Sequence, residues 1–251
     1  MTRPPRPNRS YIGITGFTSA AQVQDALALF PSSSDRRLMI GVLASRRTCA
    51  GLPERMPERH PGVDAIAGIF QDHPLALNLI HYYTDEPETL GSQLAALVER
   101  VGPGLDGLQI NGHWPSRSDL ERVRSTRPGL RLVLQVNPAT HGGSPREVAG
   151  QVREVAGLAD DVLLDASAGQ GRPIDPESAL PYLEALEDSG LGLGVAGGLC
   201  AENLPLVAPL LARFPDLSFD AESRLRDAGD RLDPSKVREY VETALRLVSG
   251  S

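Results

Sequence analysis

Eight short apolar runs recur along the chain, and each is followed by a stretch with helical character. The runs cover residues 10–15, 38–43, 75–80, 105–110, 130–136, 161–165, 191–196 and 217–220. The intervening segments repeat apolar residues at three- and four-residue spacing, as Ala20, Val23, Leu27 and Phe30 do after the first run. Their openings carry capping chemistry: Thr18 or Ser19, Ser116 or Ser118, Ser144-Pro145, Asp175-Pro176 and Asp233-Pro234. Strands that alternate regularly with helices form parallel sheets covered by helices. Eight such units in 251 residues fit a single (β/α)₈ TIM barrel of the α/β class. An open, doubly wound nucleotide-binding sheet would want a glycine-rich turn after the first strand, and Gly16-Phe17-Thr18 does not supply one. The expected organisation is an unstructured arm over residues 1–9 and one barrel domain over residues 10–251. A further helix is expected over residues 201–214. Residues 44–63 form a long segment rich in Arg, Pro and Gly, a length that favours a functional loop.

The composition removes several classes of function. No run approaches the ~20 apolar residues of a membrane span, and the basic start lacks an apolar signal core. A net charge of −7 argues against nucleic acid as a partner. Two cysteines, Cys49 and Cys200, make no disulfide framework and fit a reducing cytosol. The expected setting is cytoplasmic, with a small-molecule partner and no nucleic acid or membrane, as a monomer or homodimer. Lys236 is the only lysine, and it follows Asp233-Pro234 in the last helix, so Schiff-base catalysis by lysine is not expected.

In a TIM barrel the chemistry sits at the C-terminal ends of the strands. Here those ends are polar: Thr15, Arg46 and Arg47, His81, Asn111 with His113, Asn137, Asp165, Gly197-Gly198, and Asp220 with Glu222 and Ser223. Asp165 closes an otherwise apolar strand and opens a loop bearing Gly169, Gly171 and Arg172, a pattern that suits a catalytic acid beside an anion site. Arg46 and Arg47 either clamp a substrate carboxylate or solvate their long loop. His81 is a structural histidine or a proton carrier, and Asn111 a ligand contact or a loop support. Gly197-Gly198, followed directly by a helix, would expose backbone N–H groups to an anion. Cys200 would then lie in a first helical turn, where thiol pKa values fall.

The same residues carry a family resemblance. Ile12-Gly13-Ile14-Thr15 resembles the K-I-C-G-I-T strand of phosphoribosylanthranilate isomerase, and residues 83–88 resemble its N-x-E-P-E helix opening. Residues 107–112 are similar to V-Q-L-H-G. Leu163-Leu164-Asp165 with Gly169, Gly171, Arg172, Ile174 and Asp175 resembles L-L-D followed by G-G-[ST]-G-K-x-F-D. Residues 196–203 resemble [AS]-G-G-L-N-P-E-N, and residues 220–226 stand where the family has D-V-S-S-G-V-E.

The resemblance implies a phosphosugar barrel that catalyses an Amadori rearrangement, an intramolecular oxidoreduction of the isomerase type, without a cofactor. It implies Asp165 as general acid. It puts Ile12 in the place of the catalytic cysteine, and Asn111 in the place of a histidine, so the general base has to come from elsewhere: Glu222, His81 or Cys49. Phosphate or carboxylate would meet Arg46, Arg47, Asn111, Gly169, Gly171, Arg172, Gly197, Gly198 and Ser223. In the last phosphate loop Glu222 enters, offset by Arg224 or Arg226. The expected function is a divergent isomerase of this type acting on a small, phosphorylated, sugar-derived substrate related to but different from the family's. Three other readings stay open: the parent reaction with its base replaced, a non-catalytic barrel that binds a small anion, and a metal-dependent phosphosugar epimerase or lyase using His81, His113 and Asp165.

Overall fold

A computed structural model describes residues 10–138, 143–165 and 173–250. The N-terminal arm, Gly169, Gly171 and Arg172 lie outside the described residues. The eight runs form strands β1 (Tyr11–Thr15), β2 (Arg37–Ser45), β3 (Ala76–Tyr83), β4 (Gly107–Asn111), β5 (Arg131–Val136), β6 (Asp161–Asp165), β7 (Gly192–Ala196) and β8 (Ser218–Ala221). All pair in parallel in sequence order, and β8 returns to β1 to close the barrel. The chain is thus a single closed (β/α)₈ barrel.

The helical elements are α1 (Ala20–Leu27), α2 (Arg46–Cys49), α3 (Ile66–Ile69), α4 (Leu90–Val101), α5 (Arg117–Thr126), α6 (Pro145–Val155), α7 (Pro176–Leu186), α8 (Ala208–Arg213) and α9 (Pro234–Ser249). Ser19, Ser116 and Ser144 each accept from a backbone N–H as part of a capping box, and Asp175 and Asp233 cap helices that begin with proline. The helix expected over residues 201–214 is much shorter. A turn and a 3₁₀ segment, Leu204–Val207, come first, and only α8 is α-helical. Pro205 and Pro209 interrupt the donors a longer helix would use.

Strands buried on both faces need apolar residues on both faces, which explains the continuous apolar runs. Ile12, Ile14, Leu38, Ile40, Leu132 and Leu134 pack outward with the helices. Tyr11, Met39, Leu77, Leu79, Val133, Leu163 and Ala196 form a separate inner cluster. At the N-terminal end of the barrel Arg131 is bound to Asp161 through two N–H···O bonds of 2.6 and 2.7 Å, with the Tyr11 ring 5.3 Å from its guanidinium carbon.

Gly107 lets the wall close there. A Cβ at this position would sit against the Arg131 carbonyl, 2.7 Å from Leu79 Cδ2 and 2.8 Å from Arg131 Cβ. Gly107→Ala is therefore expected to destabilise the barrel by about 1–3 kcal/mol, as overpacking does. A urea midpoint unchanged from wild type would refute this close approach.

Candidate active site

The period-2 alternation that builds the inner cluster continues upward and changes character at the C-terminal ends. There the inward positions are Thr15 on β1, His81 on β3, Gln109 on β4, Gln135 on β5, Asp165 on β6 and Asp220 on β8, all buried. Six polar side chains enclosed together must satisfy one another. Gln135 donates from Nε2 to Asp165 Oδ2 at 2.8 Å, which turns its carbonyl oxygen to His81 Nε2, also at 2.8 Å. The same His81 nitrogen lies 3.0 Å from the Gln109 amide nitrogen, so it faces an acceptor and a donor at once. Gln109 Nε2 donates to the same Gln135 oxygen at 3.1 Å. Burial lowers the pKa of His81 against the pull of Glu222, the Gln135 bond and Asp165, which favours the neutral ring.

On the opposite wall the Thr15 hydroxyl lies 3.0 and 2.9 Å from the two carboxylate oxygens of Asp220. Burial raises the Asp220 carboxyl from the ordinary 3.8 to about 7, and Glu222 and Asp165 add to the rise while Thr15 and Gln109 oppose it. Gly13 makes the room: a Cβ there would stand 2.9 Å from Asp220 Oδ1.

Glu222, one residue beyond β8, is held by the loop that follows β2. Arg59, in a 3₁₀ turn of the long loop after β2, donates to Glu222 Oε1 at 2.8 Å. It also grips both oxygens of Asp230, through Nε at 2.8 and 3.0 Å and Nη2 at 2.7 Å. Glu58 pairs with Arg231 at 2.7 Å beside it. Asp230 takes a left-handed backbone, φ 64°, to present its carboxylate. Arg226 lies across the β1–α1 turn where Gly16, at φ 107°, has no side chain to block it; it reaches Glu222 at 3.6 Å and donates to the Asp230 carbonyl at 2.8 Å. The long loop expected to be functional is thus tied down over the barrel mouth.

The structure distributes the other sequence candidates unevenly. Asp165, His81 and Asp220 share one polar cage, and Glu222 sits at its rim. Arg46 binds Asp85 at 2.7 Å and Glu86 at 3.2 Å, and Arg47 donates to the Pro53 carbonyl at 2.8 Å, so both brace loops. Asn111 ends β4 beside Tyr83 of β3, whose ring lies 6.1 Å from that of His113. Ser223 opens a 3₁₀ turn, Ser223–Leu225.

Gly197 and Gly198 have φ of 128° and 50°, but they lead into a turn closed by Asn203, which donates to the Gly198 carbonyl and accepts from the Cys200 N–H. They do not open a helix. Accordingly the Cys200 thiol is not lowered; burial and Glu202 raise it. Cys49 packs with the helix layer, its thiol raised by burial, beside Tyr82 on the outer face of β3. Lys236 donates to the Arg226 carbonyl at 2.6 Å and, with Cys200, Ser223, Arg224 and Glu239, lines a cavity of about 480 Å³. Among the described residues no three His, Cys, Asp or Glu side chains gather to hold a metal ion, His81, His113 and Asp165 included. Nor is any described helix long and apolar enough to cross a membrane.

Ile12 is fully buried among the outward-facing residues of β1, so the side chain that β1 sends to the mouth is that of Thr15. Thr15 and Asp220 were visible as polar strand ends, whereas Gln109 and Gln135 lie within apolar runs and are marked only by their inward period. Nothing local in the sequence marks Arg59.

Closed barrel and strand order together define a (β/α)₈ TIM barrel, and solved barrels share its fold from end to end. The chain resembles phosphoribosylanthranilate isomerase from Thermus thermophilus at a TM-score of 0.66 and 20% identity, covering 94% of this chain and 99% of that one. It resembles TrpF from Jonesia denitrificans at 0.64 and 21%, over 96% and 98%. The isomerase from Thermotoga maritima superposes at 0.64 with 16% identity, over 94% and 98%. No family model matches the chain, and no curated protein matches it in sequence.

Proposed function

We propose that this protein is an acid/base isomerase of an N-substituted aldosylamine phosphate, with Asp165 as the general acid that opens the sugar ring. One observation carries the reading: a buried carboxylate at the end of β6, held at one oxygen by Gln135 and facing the centre of the mouth. Protonating the ring oxygen as the C1–O bond breaks needs a proton source at a fixed point in the mouth, and Gln135 holds the Asp165 carboxyl at such a point.

A second support is a solved isomerase of this fold in complex with reduced 1-(o-carboxyphenylamino)-1-deoxyribulose 5-phosphate. Such a ligand carries a carboxylate and a phosphate at opposite ends. In this chain the cavity between the β7 and β8 loops brings Ser223, Arg224, Arg226 and Lys236 together with Glu202 and Glu239, and an anion there would rely on the three cations outweighing the two carboxylates. Glu222 is engaged by Arg59 and Arg226, which favours a rim role over proton transfer.

The test is turnover of N-(5-phosphoribosyl)anthranilate, followed by loss of its fluorescence. Wild type should turn it over, and Asp165→Asn should lose about 10²–10⁴-fold, the contribution of a general acid. An Asp165→Asn enzyme as fast as wild type would sink the assignment. Binding of the amino-ketose phosphate with no turnover by wild type would replace it with a non-catalytic anion-binding barrel.

A further inference from the structure

We propose that Asp220, positioned by the Thr15 hydroxyl, is the proton acceptor of the rearrangement, an inference that rests on the isomerase reading above. The barrel register carries it. Asp165 pairs with Ala196 and Ala196 pairs with Asp220, so the two carboxylates stand at one level of the mouth, two strands apart. Along the wall that is about 10 Å. Both side chains point inward, with the methyl of Ala196 on the strand between them. A sugar chain lying across that gap meets one carboxylate on each side.

The two carboxylates have different neighbours. Asp165 is held by an amide that keeps it in place. Asp220 is enclosed by Gly13 and Thr15 of β1 and shares the mouth with Gln109 of β4, Asp165 of β6 and Glu222 at its own strand's end. Tyr11 and Tyr240 face it from below and from α9. Among the groups that act on it, Thr15 and Gln109 favour its charged form. A carboxylate that takes up a proton near neutrality is a far stronger base than one that titrates at 3.8.

The step balances without a co-reactant. Asp165 gives its proton to the ring oxygen as the C1–O bond breaks, leaving a protonated imine between C1 and nitrogen. Asp220 removes the C2 proton; that electron pair forms the C1=C2 bond, and the C=N pair returns to nitrogen. The enol O–H then gives its proton to Asp165 while Asp220 returns its own to C1. The product is the amino ketone, and both carboxyl groups regain their starting state.

The experiment compares wild type, Asp220→Asn, Thr15→Val and Thr15→Ser for turnover across pH, with binding of the reduced amino-sugar phosphate as the check on site integrity. Asp220→Asn is expected to lose about 10²–10⁴-fold in turnover while still binding the ligand. In wild type the rate should rise through the ionisation of Asp220. Thr15→Val, which removes the donor to the charged form, should shift that rise to higher pH, and Thr15→Ser should restore it. A merely structural role for Thr15 would lower the rate without moving the profile.

If Asp220→Asn keeps more than a tenth of the wild-type rate while Asp165→Asn is inactive, the isomerase reading stands and this assignment falls. An unshifted profile in Thr15→Val removes the positioning role. Wild type inactive on the substrate overturns both.

Discussion

Asp220→Asn is expected to be more heat-stable than wild type above neutral pH, and no more stable at pH 4. Asp220 is buried, and its carboxyl is raised from 3.8 to about 7 chiefly by that burial. The sign follows from proton uptake. Between those two values the folded protein holds a proton that the unfolded chain has released, so stability falls as pH rises across that window. Below pH 4 both states are protonated, and above pH 7 both are charged, so the loss is complete by then. Three pH units correspond to about 4 kcal/mol. Asparagine keeps the shape of the neutral carboxyl and never ionises. The difference in melting temperature between variant and wild type should therefore grow from pH 4 to 7 and then level. Thermal melts at pH 4, 5.5, 7 and 8.5 measure this directly. A difference independent of pH would mean that the Asp220 carboxylate is well solvated or paired. Taken with the proposed role of Asp220, the barrel gives up stability where it places its base, the usual direction of the trade between stability and activity.

Asp161→Asn should cost the fold about 3–5 kcal/mol. Asp161 and Arg131 are both almost wholly enclosed at the opposite, N-terminal end of the barrel. Burial pulls the guanidinium pKa down, but Asp161 more than offsets it, and the net direction is up. Removing the carboxylate charge strands a buried cation, and that, more than the lost attraction, sets the cost. The double change Arg131→Met with Asp161→Leu should be much less damaging than either charge left alone. Urea unfolding of the single and double variants separates the two. A single-variant loss under ~1 kcal/mol would show that water reaches the pair.

These two carboxylates illustrate how far the sequence could be read. Apolar runs and caps revealed all eight strands because burial on both faces leaves no choice of residue. Strand ends were harder: β2 runs on to Ser45 and β3 to Tyr83, past where the apolar pattern stops, because inward positions near the mouth are polar while the pleat continues. Asp165 was legible as a charge closing an apolar strand. The role of Thr15 was not, since it depends on which face of β1 looks inward, and a one-residue change of phase exchanges Thr15 for Ile14. The segment after Gly198 misled because its apolar spacing is helical while its prolines and Asn203 favour turns. Arg59 and Asp230 are 171 residues apart, and only closure of the barrel brings them together.

That closure has a consequence for how copies of this protein can meet. Each strand is hydrogen-bonded on both sides, β1 and β8 included. A sheet without a rim has no backbone N–H or C=O row to lend to a neighbour's strand, so edge-to-edge growth is closed to the folded molecule. Among the described residues, association of intact molecules has helix surfaces and loops to draw on, and a cross-β aggregate has to begin with a barrel that has opened.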